Sequence, residues 1–183
     1  MCRYLTDRQS VCHAVYTAPV ATQAERSAAT RRRLLDAARE RFVTIGYEPT
    51  STEQIRQLAG VSRGAMYHHF GSKRDLFEAV FEEVAVDAIR QAISEADTDE
   101  SPLGQLTAAS LAWLRVVRDR QVATILIEQA PNVLGWRQAR AVEERTTLGL
   151  MRGALDRAVA AGEIDVVSVP VAAQQLFRSP LRA

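Results

Sequence analysis

Residues 50–73 read Thr50-Ser51-Thr52-Glu53-Gln54-Ile55-Arg56-Gln57-Leu58-Ala59-Gly60-Val61-Ser62-Arg63-Gly64-Ala65-Met66-Tyr67-His68-His69-Phe70-Gly71-Ser72-Lys73. Two overlapping capping boxes open the stretch, Thr50 with Glu53 or Ser51 with Gln54, and either starts a helix. Ile55, Leu58 and Ala59 supply an apolar face of two short turns. Gly60 breaks it, because glycine tolerates the left-handed backbone that a helix end requires. Ser62 caps the next helix, in which Met66 and Phe70 stand four apart as its buried pair. Helix, glycine turn, helix over residues 52–70 is the pattern of a helix-turn-helix unit, whose second helix enters a DNA groove.

Upstream, from Thr30, the residues Leu34, Leu35, Ala38, Phe42 and Ile45 fall within one stripe about 100° wide at about 100° per residue. Asp36, Arg39 and Glu40 fall outside it, so an amphipathic helix packed on a core is expected, ending at Gly46. Downstream, Ser72 with Asp75 caps a long helix whose stripe runs Leu76, Val80, Val84 and Ala88, with Phe77 and Phe81 beside it, to about Ala96. The acidic stretch Asp97–Ser101 and Pro102 form a connector. Helical patterns then cover Leu103–Arg118, Val122–Ala130 and Trp136–Ala161, the last closed by Gly162. Glu163–Val169 is ambiguous, and nothing alternates with a period of two for long enough to be a strand. The expected fold is all-α: a tail at 1–26, a three-helix domain with the helix-turn-helix at 27–75, and a helical regulatory domain at 76–183.

The chain has 183 residues, 47% hydrophobic and 25% charged, which fits a globular protein rather than a disordered or fibrous one. The longest wholly apolar run, Val122–Ile127, is far short of the roughly 20 residues that cross a bilayer. The first residues lack a secretory layout, and a cytoplasmic location is expected. Cys2 and Cys12 cannot frame a disulfide scaffold, and with His13 they offer too few ligands for zinc. The net charge of +1 conceals a division: residues 1–75 hold 12 Lys and Arg against 7 Asp and Glu, whereas residues 76–183 hold 11 against 15. A basic head on an acidic body is what a polyanion-binding unit joined to another function would show.

On the Ser62–Phe70 helix the side opposite Met66 and Phe70 carries Gly64 and His68, flanked by Tyr67 and Ala65. Glycine there holds nothing between helix and base edges, while Tyr67 and His68 end in hydrogen-bonding groups. Arg63 can grip a guanine in a bidentate manner or bind a phosphate. Lys73, at a helix start, can hold a phosphate, and Thr52 a phosphate or a base. His69 angles toward the core and is open to either packing or contact. Adjacent helical histidines point about 100° apart, so His68 and His69 do not form a metal site, and no cofactor is expected. No GxSxG, HExxH, phosphate-loop or dinucleotide fingerprint occurs, and an enzyme is not expected.

The run Ile45-Gly46-Tyr47, Thr50-Ser51-Thr52, Ile55, Ala59 through Lys73 and Leu76 closely resembles the DNA-binding region of the TetR family of transcriptional regulators. The resemblance covers about residues 30–80. It implies a third helix in the major groove and a fourth leading to an effector-binding and dimerisation domain. It also places DNA contacts at Thr52, Arg63, Gly64, Ala65, Tyr67, His68, His69 and Lys73. The implied partners are a palindromic duplex operator, an unidentified small-molecule effector and a second copy of the chain. Trp113, Trp136 and Met151 are bulky enough to line the effector pocket. Family members usually carry two further long helices, for which the 14 residues from Pro170 are too few, so at most one short helix is expected, starting near Val171. The leading function is a ligand-responsive repressor. The alternative is a truncated module that pairs with a full-length relative without holding operator tightly.

Overall fold

A computed structural model describes residues 22–96 and 101–178; Cys2, Cys12 and His13 lie outside them. The described residues contain helices and no strand. Helix α1, Gln23–Thr44, starts with a capping box: the Thr22 hydroxyl accepts the Glu25 N–H at 3.2 Å and the Glu25 carboxylate accepts the Thr22 N–H at 2.6 Å. This reciprocal pair satisfies two otherwise orphan donors, so the helix begins inside the stretch read as a tail. Leu34, Leu35, Ala38 and Phe42 are buried as their spacing predicts. Ile45 is not: it is 43% exposed, because the chain has already left the helix at this residue, with φ −124°.

Helix α2, Thr52–Ala59, is capped by Ser51 and Gln54, not by Thr50 and Glu53. The reason is local. Thr50 is buried and donates its hydroxyl to the Gly46 carbonyl at 2.6 Å, so it has no role left at the helix start. Ile55 and Ala59 enter the core, while Leu58 stays at its rim, 42% exposed. Gly60 sits at φ 63°, ψ 38°, the left-handed conformation that ends α2 and turns the chain. Helix α3, Arg63–His69, follows with Ser62 accepting from the Ala65 N–H, and α4, Lys73–Ser94, starts with Ser72 accepting from the Asp75 N–H.

The second half is built from less regular helices. Helix α5, Pro102–Val116, has proline in its first turn, where no N–H is needed. Helix α6, residues 120–133, widens to π geometry over Thr124–Gln129, and the Ala130 N–H reaches back five residues to Ile125. The widening lies just before Pro131, which lacks an N–H and whose ring would crowd the carbonyl four residues back. Helix α7, residues 136–160, is π-helical over Glu144–Leu148, where the Thr146 hydroxyl bonds the Val142 and Glu143 carbonyls and competes with the backbone ladder. The ambiguous segment at 163–169 is not a strand, and α8, Val169–Arg178, is the one short helix expected near Val171.

One core joins head and body. It runs without a break from Leu34 and Phe42 of α1, through Phe77, Phe81 and Val84 of α4, to Ile125 of α6, Leu134 just after it and Val142 of α7. Phe42, Tyr47 and Phe77 form an aromatic cluster at the joint, with ring centroids 5.2 to 5.6 Å apart. Polar ties cross the same joint. Gln129 donates its amide to the Phe42 carbonyl at 2.8 Å, and Arg74 donates to the Leu134 carbonyl at 3.0 Å and to Gln138 at 2.8 Å. Gln138 in turn donates to Glu78 at 2.7 Å.

Candidate nucleic-acid interface

Met66 and Phe70 anchor α3 from below, at 1% and 5% exposure, and this fixes which side of the helix faces out. On the outer side Arg63, Gly64, Tyr67 and His68 are exposed, while Ala65 and His69 are half-buried. A Cβ built on Gly64 meets nothing within 4 Å, so the missing side chain leaves open space over the helix backbone. The Arg63 guanidinium lies 5.8 Å from the centre of the Tyr67 ring, a stacking distance that holds two long side chains in one direction. Thr52 is half-buried at the start of α2.

Between α2 and α3 the surface dips into a cleft of about 360 Å³ lined by Thr52, Glu53, Arg56, Arg63, Met66 and Tyr67. Glu53 was read only as a capping partner and Arg56 not at all, although their i, i+3 spacing on a helix was a readable signal of a pair. Arg56 donates from two nitrogens to the Glu53 carboxylate and also to the Val61 carbonyl at 2.9 Å, so it bridges α2 and the turn before α3. Hydrogen bonding from Arg56 holds the Glu53 carboxyl well below its ordinary value, at about 2, with Gln57 adding to the effect. The carboxylate at the edge of the face is thereby occupied by an internal partner and stays ionised.

His69 is half-buried where His68 is exposed. Its ring stands 5.3 Å from the His68 ring, and burial, then the neighbouring His68 and Arg31, lower its pKa below the ordinary 6.5. Lys73 also departs from the outer face. Its ammonium is directed to the Tyr47, Thr50 and Glu48 carbonyls at 2.9, 3.0 and 3.3 Å. Part of the basic charge of the head is likewise structural, since Arg31 and Arg32 lie 3.9 and 3.3 Å from Glu83 of α4.

The geometry is that of a helix-turn-helix with a cleared second helix, and its likeness to known proteins extends along the chain. Residues 34–80 match the family of bacterial regulatory proteins, tetR family, and residues 103–181 match the tetracyclin repressor-like C-terminal domain. This chain belongs to the TetR family. A TetR-family transcriptional regulator from Pectobacterium atrosepticum, known from its crystal structure, superposes with a TM-score of 0.72 at 26% identity, covering 86% of this chain and 80% of that one. The HTH-type transcriptional regulator SrpR of Pseudomonas putida is 32% identical over 143 residues, 75% of this chain and 64% of that protein. The HTH-type transcriptional repressor AcnR of Corynebacterium glutamicum is 41% identical over 63 residues, 34% of this chain and 32% of that protein. The matches thus span less than two thirds of these curated relatives' own length.

In the TetR-family body, the three residues expected to line an effector pocket differ in burial. Trp113 is half-buried against the core, Met151 is half-buried in α7, and Trp136 is 67% exposed at the start of α7. A cleft of about 250 Å³ between α4 and α7 is lined by Val86, Ile89, Arg90, Ile93, Thr146 and Leu150. Trp136 follows Gly135, whose φ of 80° breaks the chain before α7 begins. Among the described residues no helix is long and apolar enough to cross a membrane.

Proposed function

We propose that this chain is a sequence-specific DNA-binding transcriptional regulator, a repressor released by a small-molecule effector, acting in the cytoplasm as a homodimer on a palindromic operator. The observation that carries the reading is the cleared outer face of α3. Arg63, Gly64, Tyr67 and His68 lie together on a helix whose inner side is fixed by Met66 and Phe70, with Thr52 beside them. Arg63 reads a guanine edge or holds a phosphate, and Tyr67 and His68 donate to bases or backbone. Gly64 lets the helix axis approach the groove floor. Ala65 and His69, half-buried, complete the rim of the contact. Two such helices one DNA turn apart, about 34–36 Å, would read the two half-sites of a palindrome. An effector in the body, with Trp113 and Met151 as candidate wall residues, would act by favouring a state with a different spacing.

A gel-shift titration with the duplex flanking the chain's own gene tests this. The native protein should retard that DNA, and replacing both Arg63 and Tyr67 with alanine should lower affinity by about 1–3 kcal/mol for each side chain that bonds a base edge. If a dimer neutralises about 6–10 phosphates, affinity should also fall about 10³–10⁵-fold between about 50 and 200 mM salt. Full affinity in the double variant would contradict the assignment of this face.

A further inference from the structure

The family pattern places Lys73 at the start of α4 as a phosphate contact. Its surroundings in this chain describe another role. An ammonium has three N–H donors. Here the Nζ lies 2.9 Å from the Tyr47 carbonyl, 3.0 Å from that of Thr50 and 3.3 Å from that of Glu48, so each donor has a main-chain acceptor. The same nitrogen stands 4.1 Å from the centre of the Tyr47 ring, whose π face adds a fourth favourable neighbour.

All three carbonyls belong to the link between α1 and α2, and that link is ordered on its other sides as well. Thr50 is buried, its N–H donates to the Tyr47 carbonyl at 3.2 Å and its hydroxyl to the Gly46 carbonyl. The Tyr47 ring packs on Phe42 of α1 and Phe77 of α4. The link is therefore a cup of inward carbonyls closed by one cation. Swinging that cation out to a phosphate would take from three converging carbonyls the donor they share, that of Tyr47 keeping the Thr50 N–H.

We propose that Lys73 is a positioning residue of the DNA-binding head: its ammonium fastens the first turn of α4 to the entry of α2, and so fixes Thr52 and the helix-turn-helix relative to α4, without itself binding a phosphate. The proposal rests on the DNA-binding reading for its functional consequence, and its structural half can be tested apart from it.

Lys73→Met keeps the aliphatic stem and removes the donors; Lys73→Arg keeps the charge but supplies a planar fork that does not fit three carbonyls converging on one point. In the intact chain without DNA, amide hydrogen exchange at Thr50 and over the first turn of α2 should speed up by about tenfold in both variants. Exchange within α7 should stay unchanged. With duplex from the chain's own promoter region, both variants should bind about tenfold more weakly at every salt concentration, with the slope of log affinity against log salt the same as in the native protein. A slope shallower by about 1.8 in Lys73→Met, for two phosphates lost per dimer, with native affinity in Lys73→Arg, would identify a phosphate contact and overturn the proposal. Unchanged exchange at Thr50 would overturn it as well. If the native chain fails to bind any such duplex, the DNA-binding reading fails, and the exchange measurement still decides whether Lys73 orders the link.

Discussion

The head and the body of this chain are both helical, yet their helices differ in regularity. In the head each helix starts on a side-chain oxygen of Thr22, Ser51, Ser62 or Ser72. Its main turn ends on Gly60 in a conformation few other residues adopt. In the body, α5 and α6 start on side-chain oxygens of Ser101 and Asp119, but α7 starts at Gly135 without a side-chain cap, and both α6 and α7 pass through π-helical turns. The head helices run regularly from cap to end, whereas in the body the regular ladder is interrupted in α6 and α7 and the caps alone do not set the register. A head that must present Arg63 and Tyr67 in one orientation needs tight local definition. A body that must exist in two states, on the proposed function, is better served by helices whose register is less firmly set.

The strongest challenge to that contrast is removal of the joint. Phe42 is fully buried between Tyr47 and Phe77, and Phe42→Ala should cost about 3–5 kcal/mol. Because the core is continuous, urea unfolding followed by probes in head and body should show one shared transition; two separate transitions would mean that the halves are independent.

A paired glycine substitution sharpens the comparison further. Gly60→Ala places a side chain at φ 63° and should destabilise by about 1–2 kcal/mol. Gly149→Ala puts the same methyl on an ordinary helical backbone, φ −63°, with nothing within 4 Å. It should stabilise by about 0.5–1 kcal/mol. Opposite signs in chemical denaturation are expected, and equal signs would remove the distinction drawn between the two regions.

The smallest effect concerns Glu53. Its carboxyl titrates at about 2 in the folded chain against an ordinary 4.5. A depressed carboxyl contributes stability above its unfolded value and loses it as pH falls toward the folded one. Acid unfolding of the native chain should therefore be steeper between 4.5 and about 2 than that of Glu53→Gln. The pair is exposed, so the difference should be modest.

How much of this was legible in the residues follows the same division. The caps at Ser62 and Ser72, the turn at Gly60 and the buried pair Met66 and Phe70 all lie within a few residues of what they control, and were readable. The choice of Ser51 over Thr50 was not, because it depends on Thr50 being drawn inward to Gly46. The start of α1 was readable in principle from Thr22 and Glu25, whose spacing is that of a capping box. The carbonyl contacts of Lys73 were not legible because the acceptors are main-chain groups some two dozen residues away, and carbonyls leave no mark in a sequence. In the body, bulk alone pointed to Trp136, but a side chain's size does not say whether it is buried.

Hydrogen exchange of the intact chain, with and without duplex DNA from its own promoter region, tests the central claim most directly. Slowed exchange at α3 and at the first turn of α2, with α5 left unchanged, is the result expected if the outer face of α3 seats against the duplex. Protection confined to the body, with α3 exchanging as fast as in the free protein, would contradict it.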